Sequence, residues 1–209
     1  MRKEISSITI LLAILIFFGC SNESTNFAKE NISLVNRDLV SLNDNIVTLN
    51  DKPGEGLVIL QQIAFDNGTI ELDIKGENNP GKSFVGLAFN IQNDSTLEAI
   101  YFRPFNFQAE EKIRREHSVQ YVFHPKNPWR YLRTNFEGQY EAEFPRQPSP
   151  NDWFSVRITI DDKKVKVYDK ESKTELLAIE RLSEQMSDKI ALWVGHNSKG
   201  EFRNLKIRE

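Results

Sequence analysis

Residues 155–168 read Ser-Val-Arg-Ile-Thr-Ile-Asp-Asp-Lys-Lys-Val-Lys-Val-Tyr, and this stretch decides the fold class. On both sides of Asp161-Asp162, apolar residues alternate with polar ones, which is the period of a strand with one buried face. Two such runs separated by a short polar turn predict a β-hairpin. Because each apolar strand face must be covered by another layer, the hairpin also predicts a second sheet.

The same period of two recurs through most of the chain. Ile70, Leu72 and Ile74 alternate with charged residues directly after the turn Asp66-Asn67-Gly68. The one predicted exception to the strand pattern is a short helical turn over residues 182–187. The pattern therefore predicts one all-β domain, a sandwich of two antiparallel sheets. The other predicted strands are residues 57–63, 83–91, 97–105, 118–123, 153–160, 164–168, 175–179, 190–194 and 202–207.

The order of these segments resembles the concanavalin A-like lectin and glucanase superfamily over about residues 45–207. The resemblance implies a jelly-roll sandwich, and the closing stretch is most similar to laminin G-like modules and to the 3-keto-disaccharide hydrolase family. A shared fold does not by itself imply a shared function. The stretches that carry the resemblance are Phe65-Asp-Asn-Gly-Thr-Ile-Glu-Leu-Asp-Ile74, Ser83-Phe-Val-Gly-Leu-Ala-Phe89, Trp153-Phe-Ser-Val-Arg-Ile-Thr-Ile160, Val165-Lys-Val-Tyr168, Ile190-Ala-Leu-Trp-Val-Gly195 and Phe202-Arg-Asn-Leu-Lys-Ile207.

The chain has one cysteine, Cys20, at the end of an apolar run that follows the basic residues Arg2 and Lys3. The run covers residues 8–18 and is too short to span a bilayer, which needs about 20 residues. With Gly19 before the cysteine, the stretch resembles a bacterial lipoprotein signal, and this implies that Cys20 is lipidated and becomes the first mature residue. The alternative is an ordinary secretory signal with an incidental cysteine.

The expected organisation is a signal peptide over residues 1–19, the lipidated Cys20 with a flexible tether over residues 20–44, and the β-sandwich domain over residues 45–209. The residue after Cys20 is Ser21; since an aspartate there is the usual inner-membrane retention signal, the resemblance favours the outer membrane of the cell envelope.

A net charge of -3 gives no support for nucleic-acid binding. A single cysteine excludes a disulfide within the chain.

Residues 98–133 are rich in arginine, histidine, amide and aromatic side chains. A sugar site needs flat rings for the apolar face of a pyranose and forked donors or amides for its hydroxyl groups. The superfamily resemblance implies that such groups lie in a groove on the concave sheet, and a glycan is therefore the expected partner. The candidate ligand-binding residues are Glu98, Tyr101, Arg103, Gln120, His124 and Trp129.

Strand parity limits which of these residues share a face. Gln120 and His124 lie on the same side of one strand, whereas Glu98 and Arg103 are five positions apart and face opposite sides unless a bulge intervenes. A purely structural interpretation also stands: Glu98 and Arg103 pair across strands, and Trp129 closes one end of the sandwich.

An enzymatic function would use Glu98 as acid or base, with His117 or His124 assisting. The corresponding strand of the 3-keto-disaccharide hydrolases resembles Glu-x-Gln-x-x-Asp, but Ile100 and Arg103 stand at the later positions here, so that catalytic set does not carry over. Two histidines without a third ligand do not indicate a zinc site, and we expect no cofactor. Calcium is common in the superfamily, which leaves room for a structural calcium with unassigned ligands.

Residues Glu71, Asp73 and Glu77 resemble the Glu-x-Asp-x-x-Glu motif of laminarinase-type glycosidases, with one residue too many before the last glutamate. Strand alternation already explains Glu71 and Asp73 as the solvent-facing side of a strand.

The first functional hypothesis is a membrane-anchored lipoprotein that binds carbohydrate. The alternatives are a glycoside hydrolase or lyase of the 3-keto-disaccharide hydrolase type and a laminin G-like protein-interaction domain.

Overall fold

A computed structural model describes residues 26–209. Cys20 and the expected signal peptide lie outside these residues. The described residues form two antiparallel sheets of seven strands each. The strands of the first, which we call the front sheet, are β1 (Ile32–Val35), β4 (Gly56–Leu60), β6 (Val85–Asn93), β7 (Thr96–Phe102), β8 (Val119–His124), β9 (Glu141–Ala142) and β13 (Ala191–Val194).

The second sheet, the back sheet, contains the C-terminal strand at its interior, between the strands formed by residues 46–49 and 68–75. The back-sheet strands are β2 (Leu39–Asn43), β3 (Ile46–Leu49), β5 (Gly68–Lys75), β10 (Phe154–Ile160), β11 (Lys164–Asp169), β12 (Glu175–Glu180) and β14 (Gly200–Arg208). The front-sheet order is β1-β4-β13-β6-β7-β8-β9, and the back-sheet order is β12-β11-β10-β5-β14-β3-β2.

The predicted hairpin of residues 155–168 is confirmed by the pairing of β10 with β11. Ile160 lies opposite Val165, and the Asp161 carboxylate accepts hydrogen bonds from the backbone N–H groups of Lys163 and Lys164 at 2.8 and 2.7 Å. A short acidic side chain that accepts from the backbone a few residues on stabilises a tight turn. The apolar side chains of both strands face the inter-sheet core, as the alternation requires.

The core is filled by aromatic and aliphatic side chains from the inner faces of both sheets. Phe102 of the front sheet packs edge to face on Phe154 of the back sheet, with ring centroids 5.2 Å apart. Phe107 and Phe144 complete this aromatic group and are fully buried. Such contacts between sheets confirm the predicted all-β sandwich.

Two parts of the predicted secondary structure are corrected. The expected tether, residues 20–44, contains β1 and β2, because Ile32, Val35, Leu39 and Leu42 pack against the core. Residues 182–187 are irregular rather than helical. The helices instead lie in loops of the front sheet, α1 (Lys112–Arg115) and α2 (Trp129–Asn135), with 3-10 turns at Lys29–Asn31 and Pro104–Asn106.

Candidate functional site

The outer face of the front sheet, which we call the front face, carries most of the candidate residues. Tyr101 lies opposite Gln120 across β7 and β8, and Gln120 lies opposite Glu141 of β9. On the other side of Tyr101, Gly86 separates it from Trp193 of β13. A single row of facing residues therefore runs across five strands of the sheet.

Gly86 is the position in this row that lets the two rings meet. A Cβ at Gly86 would lie 2.1 Å from the backbone oxygen of Ile100, so the site accepts no side chain. Tyr101 and Trp193 stack over this gap with ring centroids 4.9 Å apart and an interplanar angle of 28°. Both rings are almost completely buried, so they form the floor of the front face rather than an open platform.

Arg103, directly after β7, connects several residues of the front face by hydrogen bonds. Its guanidinium donates to Tyr101 Oη at 2.8 Å and to Gln120 Oε1 at 3.1 Å, and also to the backbone oxygen of His117 at 2.7 Å. Burial lowers the pKa of Arg103, but a guanidinium remains charged at any physiological pH. Three of the candidate residues, Tyr101, Arg103 and Gln120, are thus brought together in one hydrogen-bonded group.

Glu141 and Arg133 form the outer rim of this group. Arg133, on α2, donates to both oxygens of the buried Glu141 carboxylate, with a shortest distance of 2.6 Å. His117 Nδ1 is 3.0 Å from Glu141 Oε2, but it is not aligned for a hydrogen bond and has no hydrogen-bond partner among the described residues. Both His117 and Glu141 line a cavity of about 300 Å³ that also contacts Ile113 and Gly138.

His117 has an altered acidity because of this position. Burial lowers its pKa, although the nearby Glu141 carboxylate acts in the opposite direction. A histidine with a lowered pKa is neutral at pH 7 and has a free lone pair on one ring nitrogen. The rim therefore holds a carboxylate and a neutral imidazole side by side.

Trp129 and Tyr131 provide the exposed aromatic surface next to the rim. Their relative exposures are 38% and 45%, and both lie on α2, which packs against β8. The guanidinium carbons of Arg130 and Arg133 lie 5.3 and 5.0 Å from the Trp129 ring centroid. Such cation–π contacts restrain the ring while leaving part of it accessible.

His124 is on the front face as parity predicted, but it has a different set of partners. His124 Nε2 lies 3.1 Å from Glu55 Oε1, and the other Glu55 oxygen accepts a hydrogen bond from Trp193 Nε1 at 3.1 Å. Glu55 precedes β4 and is substantially exposed. A carboxylate thus links the candidate His124 to the buried tryptophan.

Glu98 lies on the opposite side of the front sheet, inside the sandwich. β7 runs without a register shift against β8, so no bulge brings Glu98 and Arg103 to one face. The Glu98 carboxylate is fully buried and accepts hydrogen bonds from Tyr121, Asn90 and Arg181. Its ion-pair partner is therefore Arg181 and not Arg103, the partner that the structural interpretation proposed.

The glycosidase-like motif is on the back sheet. Glu71 and Asp73 face outward from β5, and each carboxylate contacts arginine or lysine side chains. Glu77 pairs with Lys199 at 2.6 Å, beyond the end of the strand. The three carboxylates thus occupy ion pairs away from the front face. In the part of the chain that the structure describes, no cluster of three or more histidine or acidic side chains could hold a metal ion.

Sequence reasoning missed Glu55, Glu141 and Trp193 as members of the front face. Trp193 stands in a predicted strand, but residues 190–194 are all apolar, so no alternation shows which face it occupies. Glu141 lies in a strand of two residues, which is too short to show a period. Glu55 lies in a turn, where no periodic signal exists.

Solved structures with the same fold include proteins that bind or cleave carbohydrates. The carbohydrate binding module CBM66 from Bacillus subtilis has a TM-score of 0.58 and 12% identity over 86% of this chain and 96% of the module. A β-1,3-1,4-glucanase (lichenase) from a mouse hindgut metagenome has a TM-score of 0.56 and 11% identity over 90% of this chain and 98% of the glucanase. This chain shares with them the architecture of an all-β, jelly-roll sandwich.

A third similar structure is the exoplasmic/lumenal domain of VIP36 in a form bound to Ca²⁺ and Man3GlcNAc, with a TM-score of 0.55 and 11% identity over 85% of this chain and 83% of that domain. No family model and no curated protein matches the sequence. At these identities the similarity establishes the jelly-roll architecture, and the function must be argued from the side chains of this chain.

Proposed function

We propose that the protein binds carbohydrate on its front face, beside the rim formed by Trp129, Arg133 and Glu141. The observation that carries the proposal is the exposed Trp129 ring, restrained by Arg133, which is itself fixed on the buried Glu141 carboxylate. Two proteins with the same fold, the carbohydrate binding module CBM66 and the Man3GlcNAc-bound domain of VIP36, support this class of ligand.

Each part of the rim matches a chemical feature of a sugar. The Trp129 ring offers a flat apolar surface for the C–H face of a pyranose. Arg133 and Glu141 offer a donor and an acceptor for hydroxyl groups. Their ion pair already holds both side chains in place, so binding costs little further ordering of long side chains. Tyr101, Arg103 and Gln120 support the rim from below and hold β7, β8 and the loop before β8 in register.

The test is glycan-array binding by a soluble fragment of residues 26–209. Trp129→Ala is expected to weaken binding to the best neutral glycan at least tenfold while the melting temperature stays near that of the parent. Trp153→Ala, which removes a tryptophan directly before β10 that contacts Arg203 of the back sheet, is the control and should leave that affinity unchanged. An equal loss in both variants, or no glycan binding at all, would contradict the proposal and favour the protein-interaction alternative.

A second candidate function is hydrolysis or elimination at a glycosidic bond. It is favoured by the neutral His117 next to Glu141 at the cavity wall. A neutral imidazole can accept a proton as the base and then donate that proton to the leaving-group oxygen as the acid, while the Glu141 carboxylate stabilises the imidazolium in between. In this candidate, His117 and Glu141 replace Glu98, which is enclosed in the core. Release of reducing ends from a bound glycan, lost in His117→Asn and retained in Glu55→Gln, would establish it.

We also propose that the protein is anchored in the cell envelope, in the outer membrane, by lipid on Cys20. The sequence of residues 2–20 supports this proposal. Separately, no helix within residues 26–209 is long and apolar enough to cross a bilayer. Cys20→Ser should abolish incorporation of labelled palmitate and move the protein from the membrane fraction to the soluble fraction. A Cys20→Ser variant that still sediments with membranes would exclude the lipid anchor.

A further inference from the structure

The outer face of the back sheet carries a cluster of cations around a single carboxylate. Glu71 lies within 3.4 Å of three of them: Lys170 at 2.9 Å, Arg157 at 3.2 Å and Arg208 at 3.4 Å. The Glu71 side chain is only 5% exposed, whereas the three cationic side chains are 31–39% exposed. The carboxylate is therefore covered by its partners, and the partners face solvent.

Two lysines extend this cluster along the sheet. Lys206 of β14 lies directly opposite Glu71, and Lys166 of β11 lies opposite Thr159, one row away. We call Arg157, Lys166, Lys170, Lys206 and Arg208 the basic cluster. The whole chain has a net charge of -3, but cations are in excess around Glu71. Of the neighbouring outward carboxylates, Asp73 contacts Arg203, which is outside the basic cluster, and Glu175 accepts a hydrogen bond from Tyr168.

The charge balance at Glu71 shows how strongly the cations act there. Burial raises the pKa of this carboxyl, but Lys170, Arg157 and Arg208 outweigh burial, so the pKa is lowered overall. One carboxylate cannot neutralise several cations, and like charges held close together repel each other. An added anion would relieve this repulsion, and the arginines offer forked N–H donors that fit planar carboxylates and sulfates.

The shortage of exposed apolar side chains near the basic cluster indicates which kind of anion it would bind. Insertion into a membrane surface requires exposed apolar or aromatic side chains beside the basic ones. The exposed large hydrophobic residues of the described chain are Leu34, Val40, Ile113, Trp129, Tyr131 and Met186. Of these, only Val40 belongs to the back sheet, on the edge strand β2, which is three strands away from β5. A polar and cationic strand face suits a soluble, extended polyanion better than a bilayer.

We infer that the basic cluster is a second binding site, on the back sheet, for acidic polysaccharide whose uronate or sulfate groups contact the arginines and lysines around Glu71. This site is separate from the front face and does not depend on the function proposed there. The two sites would allow one domain to bind a neutral and an acidic portion of envelope or extracellular glycan.

The test compares the binding of heparin and polygalacturonate with that of dextran by titration calorimetry, using residues 26–209. The parent should bind both acidic polymers, not dextran, and affinity should fall steeply as NaCl rises because exposed charges are screened. Lys166→Gln/Lys206→Gln should weaken binding at least fivefold. Lys112→Gln/Lys189→Gln removes the same charge outside the basic cluster and should have less than a twofold effect.

Several outcomes would overturn the inference. These are an equal loss in the two double variants, no binding to either acidic polymer at 50 mM NaCl, and binding to phosphatidylglycerol vesicles without binding to polysaccharide. Trp129→Ala separates this site from the front face: it should leave heparin affinity unchanged even though it weakens neutral-glycan binding. Melting temperatures of all variants identify any loss that is due to unfolding.

Discussion

Arg181 Nη2 lies 2.6 Å from Glu98 Oε2, and this ion pair is enclosed between the two sheets with side-chain exposures of 2% and 0%. Tyr121 Oη donates to the same carboxylate at 2.5 Å and accepts a hydrogen bond from the backbone N–H of Leu182. Burial, together with the adjacent Glu98, raises the pKa of Tyr121. The group joins β7 and β8 to the segment that follows β12, so it connects the front sheet to the back sheet.

Removal of Arg181 should be strongly destabilising. Breaking a buried ion pair on one side leaves an uncompensated charge and typically costs about 3–5 kcal/mol. We therefore expect Arg181→Ala to lower the free energy of unfolding in urea by about that amount, whereas the exposed Arg130→Ala should change it by less than about 0.5 kcal/mol. A change below 1 kcal/mol in Arg181→Ala would show that Glu98 finds another partner or water.

Gly86→Ala tests the stacked floor of the front face. The new Cβ would meet the backbone of β7 and not a flexible side chain, so β6 and β7 must separate or the Tyr101–Trp193 pair must shift. Overpacking of this kind costs about 1–3 kcal/mol. Unfolding in urea and near-UV circular dichroism should show the loss and the altered tryptophan environment. Unchanged values for both would mean that the sheet adapts without moving the rings.

The N-terminal boundary of the domain gives a third prediction. Without β1, the edge of β4 is unpaired, and exposed strand edges promote association. A fragment of residues 45–209 should therefore have a lower melting temperature than residues 26–209 and should aggregate on concentration, as light scattering would detect. Equal stability and solubility of the two fragments would contradict this prediction and would support residue 45 as the start of the folded domain.

Much of the fold could be predicted because half-buried strands repeat an apolar residue at every second position. The runs at residues 70–74 and 155–168 became β5, β10 and β11 with the expected inner faces. β1 and β2 were missed because they are short edge strands. The short helix α2 was missed because its residues, apart from Leu132, are not buried.

The candidate site was harder to predict because it depends on which distant strands become neighbours. Parity along β8 correctly grouped Gln120 with His124, since that rule needs only one strand. The Tyr101–Trp193 stack requires β6 to lie between β7 and β13, and the Glu98–Arg181 pair joins residues 83 positions apart. No local pattern encodes contacts of this kind, so Glu98 appeared to be available to a ligand.

The pH dependence of stability should identify His117. Its pKa in the folded protein is lowered, chiefly by burial, from an ordinary value of 6.5. Below about pH 6.5 the unfolded chain therefore binds a proton that the folded chain does not, so stability should fall as pH decreases through this range. Glu71 and Asp169 also have lowered pKa values, but their ordinary values are 4.5 and 3.8, so their contributions are lost only at lower pH.

His117→Gln should flatten the decline in unfolding free energy between pH 7.5 and 5.5. Glu141→Gln removes the carboxylate that favours protonated His117, and its decline should extend to lower pH than in the parent. Identical pH profiles in all three proteins would show that His117 is hydrated and titrates as in the unfolded chain.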